Sequence, residues 1–180
     1  YNINTIASNN LVTVDITKKP VNLTGSRTYD GTKTVNSGII SSIGGTIGSE
    51  TLVVSGSGTL NLGGAGSRTI SDTSSFTLGN GLNGGLGGNY TLDGGTHSVT
   101  VSPKPVTITG TKQYDGDRIV HSNSAEAQIQ LVSGETLLWT GNGISDSANV
   151  GNQTVQTGSF SLADQTHAAS NYTFSGASMT

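Results

Sequence analysis

The chain of 180 residues contains no cysteine, so neither a disulfide framework nor a thiolate metal site is available to it. Charge is scarce too: 8 Lys and Arg stand against 11 Asp and Glu, a net charge of −3. Without a basic surface to neutralise phosphates or grip an anionic membrane, nucleic acid is not an expected partner. No apolar run approaches the roughly 20 residues of a membrane-crossing helix, so direct membrane insertion is not expected either. The chain opens at Tyr1 without a charged, apolar leader and reads as an internal piece of a longer polypeptide. The lack of Cys does not place it inside a cell, because export of an unfolded chain is simpler without premature disulfides.

What is present is 27 Gly, with Ser, Thr and Asn filling most polar positions. Short alternating runs of Val, Ile, Leu and Tyr are punctuated by Gly, Asn and Asp. β-branched residues pack well on a pleated surface and turn positions need relaxed backbone angles, so this pattern predicts a folded, all-β or nearly all-β protein. One segment, Ser124–Gln130, is rich enough in Ala, Glu and Gln to predict a helical turn or two.

Residues 19–31 read KPVNLTGSRTYDG and residues 104–116 read KPVTITGTKQYDG. A catalytic centre is normally written once, so a phrase written twice asks for a structural explanation. The same offset of 85 positions carries Glu50-Thr51-Leu52 onto Glu135-Thr136-Leu137, and Gly56 and Gly58 onto Gly141 and Gly143. It contracts to 82 where Asn89-Tyr90-Thr91 meets Asn171-Tyr172-Thr173, as deletions in loops allow. The chain therefore divides into two modules, residues 17–101 and 102–180. Val14 and Ile16 precede the first phrase as Val99 and Val101 precede the second. Residues 1–16 are thus either the closing strand of a preceding module or the first strand of module 1. A spare strand at one end predicts head-to-tail association of the chain by strand addition.

Lys-Pro, an alternating strand, Tyr-Asp-Gly, Glu-Thr-Leu and Asn-Tyr-Thr, twice over, resemble the YDG-type repeat of bacterial haemagglutinins and two-partner secretion adhesins. That resemblance implies small β-rich modules in the stalk of a long protein at the bacterial cell surface. It implies neighbouring repeats as partners and no reaction. An immunoglobulin-like sandwich is the preferred form of the module, with a β-grasp-like fold carrying one short helix as the alternative. The alternative function is binding of exopolysaccharide or host glycans in biofilm or attachment.

Candidate residues divide along the same line. Tyr29-Asp30-Gly31 and Tyr114-Asp115-Gly116 read as structural corners, Asp-Gly supplying the turn while both tyrosines bury their rings; a ligand-binding tip is the competing reading. Tyr90 and Tyr172, after Asn89 and Asn171, read as packing residues at the start of a late strand, and both Asn-Tyr-Thr triplets are also glycosylation sequons. Trp139, the sole Trp, aligns with Val54 and reads as core, while an exposed position would make it a glycan contact. Asp115 and Asp117 are the candidate calcium ligands, because alternate loop carboxylates can converge on a hard cation. No other cofactor is implied. His97, His121 and His167 lack metal-ligand spacing. Gly79–Gly84 spells G-x-G-x-x-G, but no helical period follows it to hold a pyrophosphate. No Ser, His and carboxylate assemble into a catalytic set, so the reading is of a protein that is not an enzyme.

Overall fold

In the computed structural model the described residues are 13–122 and 126–174. Module 1 contains β1 (Lys19–Pro20), β2 (Asn22–Thr28), β3 (Thr34–Asn36), β4 (Ile40–Gly44), β5 (Leu52–Leu60), β6 (Gly66–Asp72), β7 (Phe76–Asn80), β8 (Tyr90–Thr91) and β9 (His97–Ser102). Module 2 contains β10 (Lys104–Pro105), β11 (Thr107–Thr109), β12 (Ile119–His121), β13 (Gln128–Gln130), β14 (Leu138–Thr140), β15 (Asn142–Ser145), β16 (Val155–Gln156), β17 (Ser161–Ala163) and β18 (Tyr172–Thr173). The protein is nearly all-β. Among the described residues helical structure is confined to single 3₁₀ turns, such as those leading into Tyr90 and Tyr172.

Seven strands of module 1 form one curled, half-barrel sheet in the order β3-β5-β6-β9-β2-β4, with β7 also pairing with β5. Strand β9 lies at its centre because its sequence, HSVTVS, alternates strictly and sends His97, Val99 and Val101 inward. It runs parallel to β2, from Leu23 opposite His97 to Thr28 opposite Ser102, and antiparallel to β6. Leu23, Val35, Leu60, Ile70, Phe76, Val99 and Val101 close the core. His97 is held within it. Its Nδ1 accepts the Leu23 N–H at 3.1 Å, so Nε2 carries the proton and donates to the Leu92 carbonyl at 2.9 Å.

Both legs of the repeated phrase meet in space. Lys19-Pro20 lies parallel to Tyr90-Thr91, and Lys104-Pro105 parallel to Tyr172-Thr173. The following residue completes each ladder, Val21 N–H donating to the Thr91 carbonyl and Val106 N–H to the Thr173 carbonyl, both at 2.9 Å. Lys-Pro therefore recurs with Asn-Tyr-Thr because the two are neighbours.

Module 2 repeats the plan with shorter ladders, β11 with β13, β12 with β15 and β16, and β14 with β17. Its core gathers Ile108, Val120, Ala127, Trp139, Val155 and Phe160. One expectation is corrected. Gln128–Gln130 is a strand paired with β11, not a helical turn, since each residue exchanges its intrinsic preference for a ladder; residues 123–125 of that segment lie outside the described residues. Of the strand expected within residues 1–16, residues 1–12 lie outside the described residues, and residues 13–16 are exposed and carry no strand pairing.

Candidate functional site

In each module a basic residue stands two positions before the Tyr-Asp-Gly corner, Arg27 on β2 and Lys112 three residues beyond β11, and this residue organises the loop. Arg27 Nη1 donates to Asp30 Oδ2 at 2.8 Å, to Thr32 Oγ1 at 3.1 Å and to the Thr34 carbonyl at 2.9 Å. In module 2 Lys112 Nζ meets Asp115 Oδ2 at 2.7 Å, Asp117 Oδ1 at 2.5 Å and the Ile119 carbonyl at 2.7 Å. Each Asp also closes the turn itself, Asp30 Oδ1 accepting the Thr32 N–H at 2.9 Å and Asp115 Oδ1 the Asp117 N–H at 3.0 Å.

This geometry reassigns the candidate calcium ligands. Asp115 and Asp117 do converge, but on the Lys112 ammonium, which occupies the place a cation would take. Lys112 accordingly holds both carboxyls below their ordinary range, and Asp115 in turn raises the Lys112 ammonium above its own. Among the described residues no group of three or more His, Asp or Glu side chains converges as metal ligands do.

The corner places Tyr29 outside its own module and inside the next. Tyr29 is 5% exposed and shares one buried cluster with Val106, Leu137 and Tyr172 of module 2. Its ring stands edge-on to Tyr172, with centroids 5.5 Å apart and planes at 79°. One carboxylate joins the pair: Tyr29 donates to Glu135 Oε1 at 2.5 Å and Tyr172 to Glu135 Oε2 at 2.7 Å. The Val132 N–H donates to the Tyr172 hydroxyl at 2.9 Å. Beside the rings, the Ala65 N–H donates to Asn171 Oδ1 at 2.8 Å.

Burial first, and then the Glu135 carboxylate, push the Tyr29 phenol from 10.0 up to about 12. The same causes raise Tyr172 further. A neutral hydroxyl suits this site because it can donate to Glu135, whereas a phenolate would face the carboxylate unpaired. Gly31 completes the seam. Its φ of +79° is unfavourable for residues with a side chain, and an added Cβ would lie 2.9 Å from Val132 Cγ1 and 3.2 Å from Glu135 Oε1. One buried cluster therefore runs from Leu23 and Val99 in module 1 through Tyr29 to Val106, Leu137 and Tyr172 in module 2.

At the equivalent corner of module 2, Tyr114 is 65% exposed, against the expectation that both tyrosines are buried. The reason is that a neighbouring module, and not the tyrosine's own, covers the ring. Nothing lies within 4 Å of a Cβ built on Gly116. The receiving residues have counterparts on module 1, where Tyr90 is itself buried. Tyr90 donates to Glu50, and the Ile47 N–H donates to the Tyr90 hydroxyl at 3.1 Å, which repeats the Glu135, Tyr172 and Val132 arrangement. Asn89 is exposed there, whereas Asn171 is buried. The Tyr90 phenol is raised chiefly by its hydrogen bond to Glu50, with burial adding to the shift and the Ile47 N–H opposing it.

Trp139 is 4% exposed and packs against Phe160 at 4.9 Å and Phe174 at 6.4 Å between ring centroids, so its indole offers no sugar platform. Gly79–Gly84 forms the end of β7 and a loop in which the Gly81 N–H bonds the Gly85 carbonyl at 3.0 Å. Glu50 and Glu135 were visible in the sequence only as matched letters. The signal that could have singled them out was their recurrence at one offset in a chain with 11 acidic residues.

The fold and this seam together define a tandem-repeat β protein whose modules interlock through an aromatic knob and an acid-lined socket. The chain belongs to the YDG domain family, whose model matches residues 15–100 and again residues 98–180. Neither the curated proteins nor the solved structures contain a match to it.

Proposed function

We propose that this chain is a spacer segment of a large, secreted bacterial surface adhesin of the haemagglutinin and two-partner secretion kind, holding a distal adhesive region away from the cell. The observation that carries this reading is the burial of Tyr29 under module 2, bonded to Glu135. A seam that shares one core between modules resists bending, which a stalk requires and an independent binding domain does not. Ser102-Pro103-Lys104-Pro105 stiffens the same junction, because Pro fixes φ and biases its predecessor toward extended geometry.

For the module itself we read a single curled sheet, with its first long strand and its last side by side, in preference to an immunoglobulin-like sandwich. Extracellular placement and the lack of an assigned reaction belong to this same reading. Glycan binding draws no support from Trp139, which is enclosed.

Small-angle scattering tests the proposal. The expected profile is that of one elongated, stiff particle, with Tyr29→Ala giving a visibly more flexible one. A compact, folded-back pair, or a wild-type chain already as flexible as the variant, overturns it.

A further inference from the structure

Tyr29 and Tyr172 are brought together by the link between the modules. The Tyr29 N–H donates to the Ser102 carbonyl at 2.8 Å, and Tyr172 pairs with Lys104 in a parallel ladder, so both backbones are pinned to the same short stretch of chain. The rings meet edge-on at 5.5 Å between centroids, the one tyrosine pair in ring contact among the described residues. Burial alone asks each hydroxyl for a partner, but here the partner is a single shared base. Tyr29 lies 2.5 Å from Glu135 Oε1 and Tyr172 2.7 Å from Glu135 Oε2. The two oxygens of a carboxylate sit on one carbon, so both hydroxyls, and with them the ring carbons beside the hydroxyl-bearing ones, are drawn to the same side of the pair.

A phenol oxidises by losing an electron and a proton, and the resulting radical carries much of its unpaired spin on the ring carbons next to the oxygen. Burial and Glu135 push the Tyr29 phenol up to about 12, so its proton has to leave together with the electron, and Glu135 is placed to take it. Glu135 is itself only half-buried, which lets it hand one proton to water before it takes the next.

We infer that Tyr29 and Tyr172 form an oxidative cross-linking site, at which a one-electron oxidant couples the two rings carbon to carbon while Glu135 receives the phenol protons. Tyr29 gives an electron to the oxidant and its proton to Oε1, and Tyr172 then does the same through Oε2. The two radicals pair to form one bond between the ring carbons adjacent to their oxygens. The hydrogen on each of those carbons moves to the oxygen of its own ring, which restores both aromatic rings and both hydroxyls. Two electrons and two protons leave in all, and hydrogen peroxide, working in one-electron steps through a peroxidase, takes them up and becomes two waters. Rotation about the side-chain bonds closes the 5.5 Å separation. The product ties the modules together as a disulfide would, in a chain without cysteine. The ring pair, and not the stalk reading, carries this: a stiff, elongated chain whose tyrosines never couple overturns the cross-link and leaves the stalk untouched.

Photo-oxidation of the whole chain at low concentration, with a ruthenium tris-bipyridine complex and persulfate, supplies the test. A Tyr114→Phe background removes the exposed tyrosine. Trypsin cleavage after Arg27, Lys33 and Arg118 leaves Tyr29 in residues 28–33 and Tyr172 in residues 119–180, each without a second tyrosine. The expected product is these two peptides joined, lighter than their sum by two hydrogens and showing dityrosine fluorescence. An equal mixture of light and nitrogen-15 chains should give only all-light and all-heavy pairs. Glu135→Gln should lower the yield several-fold while melting curves show it folded. Should that variant unfold, a slower wild-type reaction in heavy water reads the same proton step. Absence of the joined peptide, mixed-isotope pairs, an equal yield in urea, or a yield that the Glu135 variant or heavy water leaves unchanged would each overturn the inference.

Discussion

At the scale of single residues, the contrast between Tyr29 and Tyr114 separates what a motif encodes from what its surroundings add. The two tyrosines share their flanking sequence and their corner, yet only Tyr29 is enclosed. Tyr29→Ala should therefore cost roughly 3–5 kcal/mol in urea unfolding, in the range for a buried aromatic. Tyr114→Ala at low protein concentration should stay within about 0.5 kcal/mol of wild type. The phenol also sets a pH dependence. Its folded pKa of about 12 lies above the ordinary 10.0, so the folded state holds its proton more tightly than the unfolded state does. Stability from Tyr29 is thus complete below the ordinary value and falls as pH rises through that window. Denaturation followed by near-ultraviolet tyrosinate absorbance should show this loss, and Tyr29→Phe should remove that residue's share of it. Calcium, in contrast, should leave the melting temperature unchanged, because Asp115 and Asp117 already share the Lys112 ammonium.

At the scale of elements, glycine decides where strands can pass each other. Gly56 in β5 and Gly141, between β14 and β15, have φ of +95° and +104°, and a Cβ on either would lie 2.0 Å from the carbonyl oxygen of Ser75 or Ser159. Both lie where a hairpin bends tightly against its partner strand, and the match between them reflects a shared backbone constraint. Gly56→Ala or Gly141→Ala should cost about 1–3 kcal/mol from the backbone conformation alone. The steric clash adds to that cost, and chemical denaturation of each variant measures the sum. The sequence made β5, β6, β7 and β9 legible through alternation. It did not reveal β3, β4, β12, β13 and β15. These strands are short and lie beside Gly- and Ser-rich turns, so pairing with a distant partner holds them extended where local preference does not.

For the whole molecule, a buried cluster that crosses the seam couples the folding of the modules. Calorimetry should give one unfolding transition for the wild-type chain, and fluorescence of Trp139 in module 2 should follow the same curve as far-ultraviolet dichroism. Cutting the coupling with Tyr29→Ala should split this into two transitions, the Trp139 signal reporting only the second module. A wild-type chain that already melts in two steps would show that the shared cluster does not couple them.

The sequence alone determined the repeat, the β-rich class and the corner at Tyr-Asp-Gly, since periodicity and turn chemistry are local properties written in neighbouring residues. It also placed Lys-Pro and Asn-Tyr-Thr among the repeated elements, although not beside one another. Only the tertiary structure decided that Tyr29 leaves its own module for the next, that Glu135 holds two tyrosines at once, and that Lys112 takes the place proposed for calcium. Those outcomes depend on groups brought together across the fold, Glu135 lying 106 positions from Tyr29. A corner can be read from its own letters, but the surface it meets is assembled by the rest of the chain.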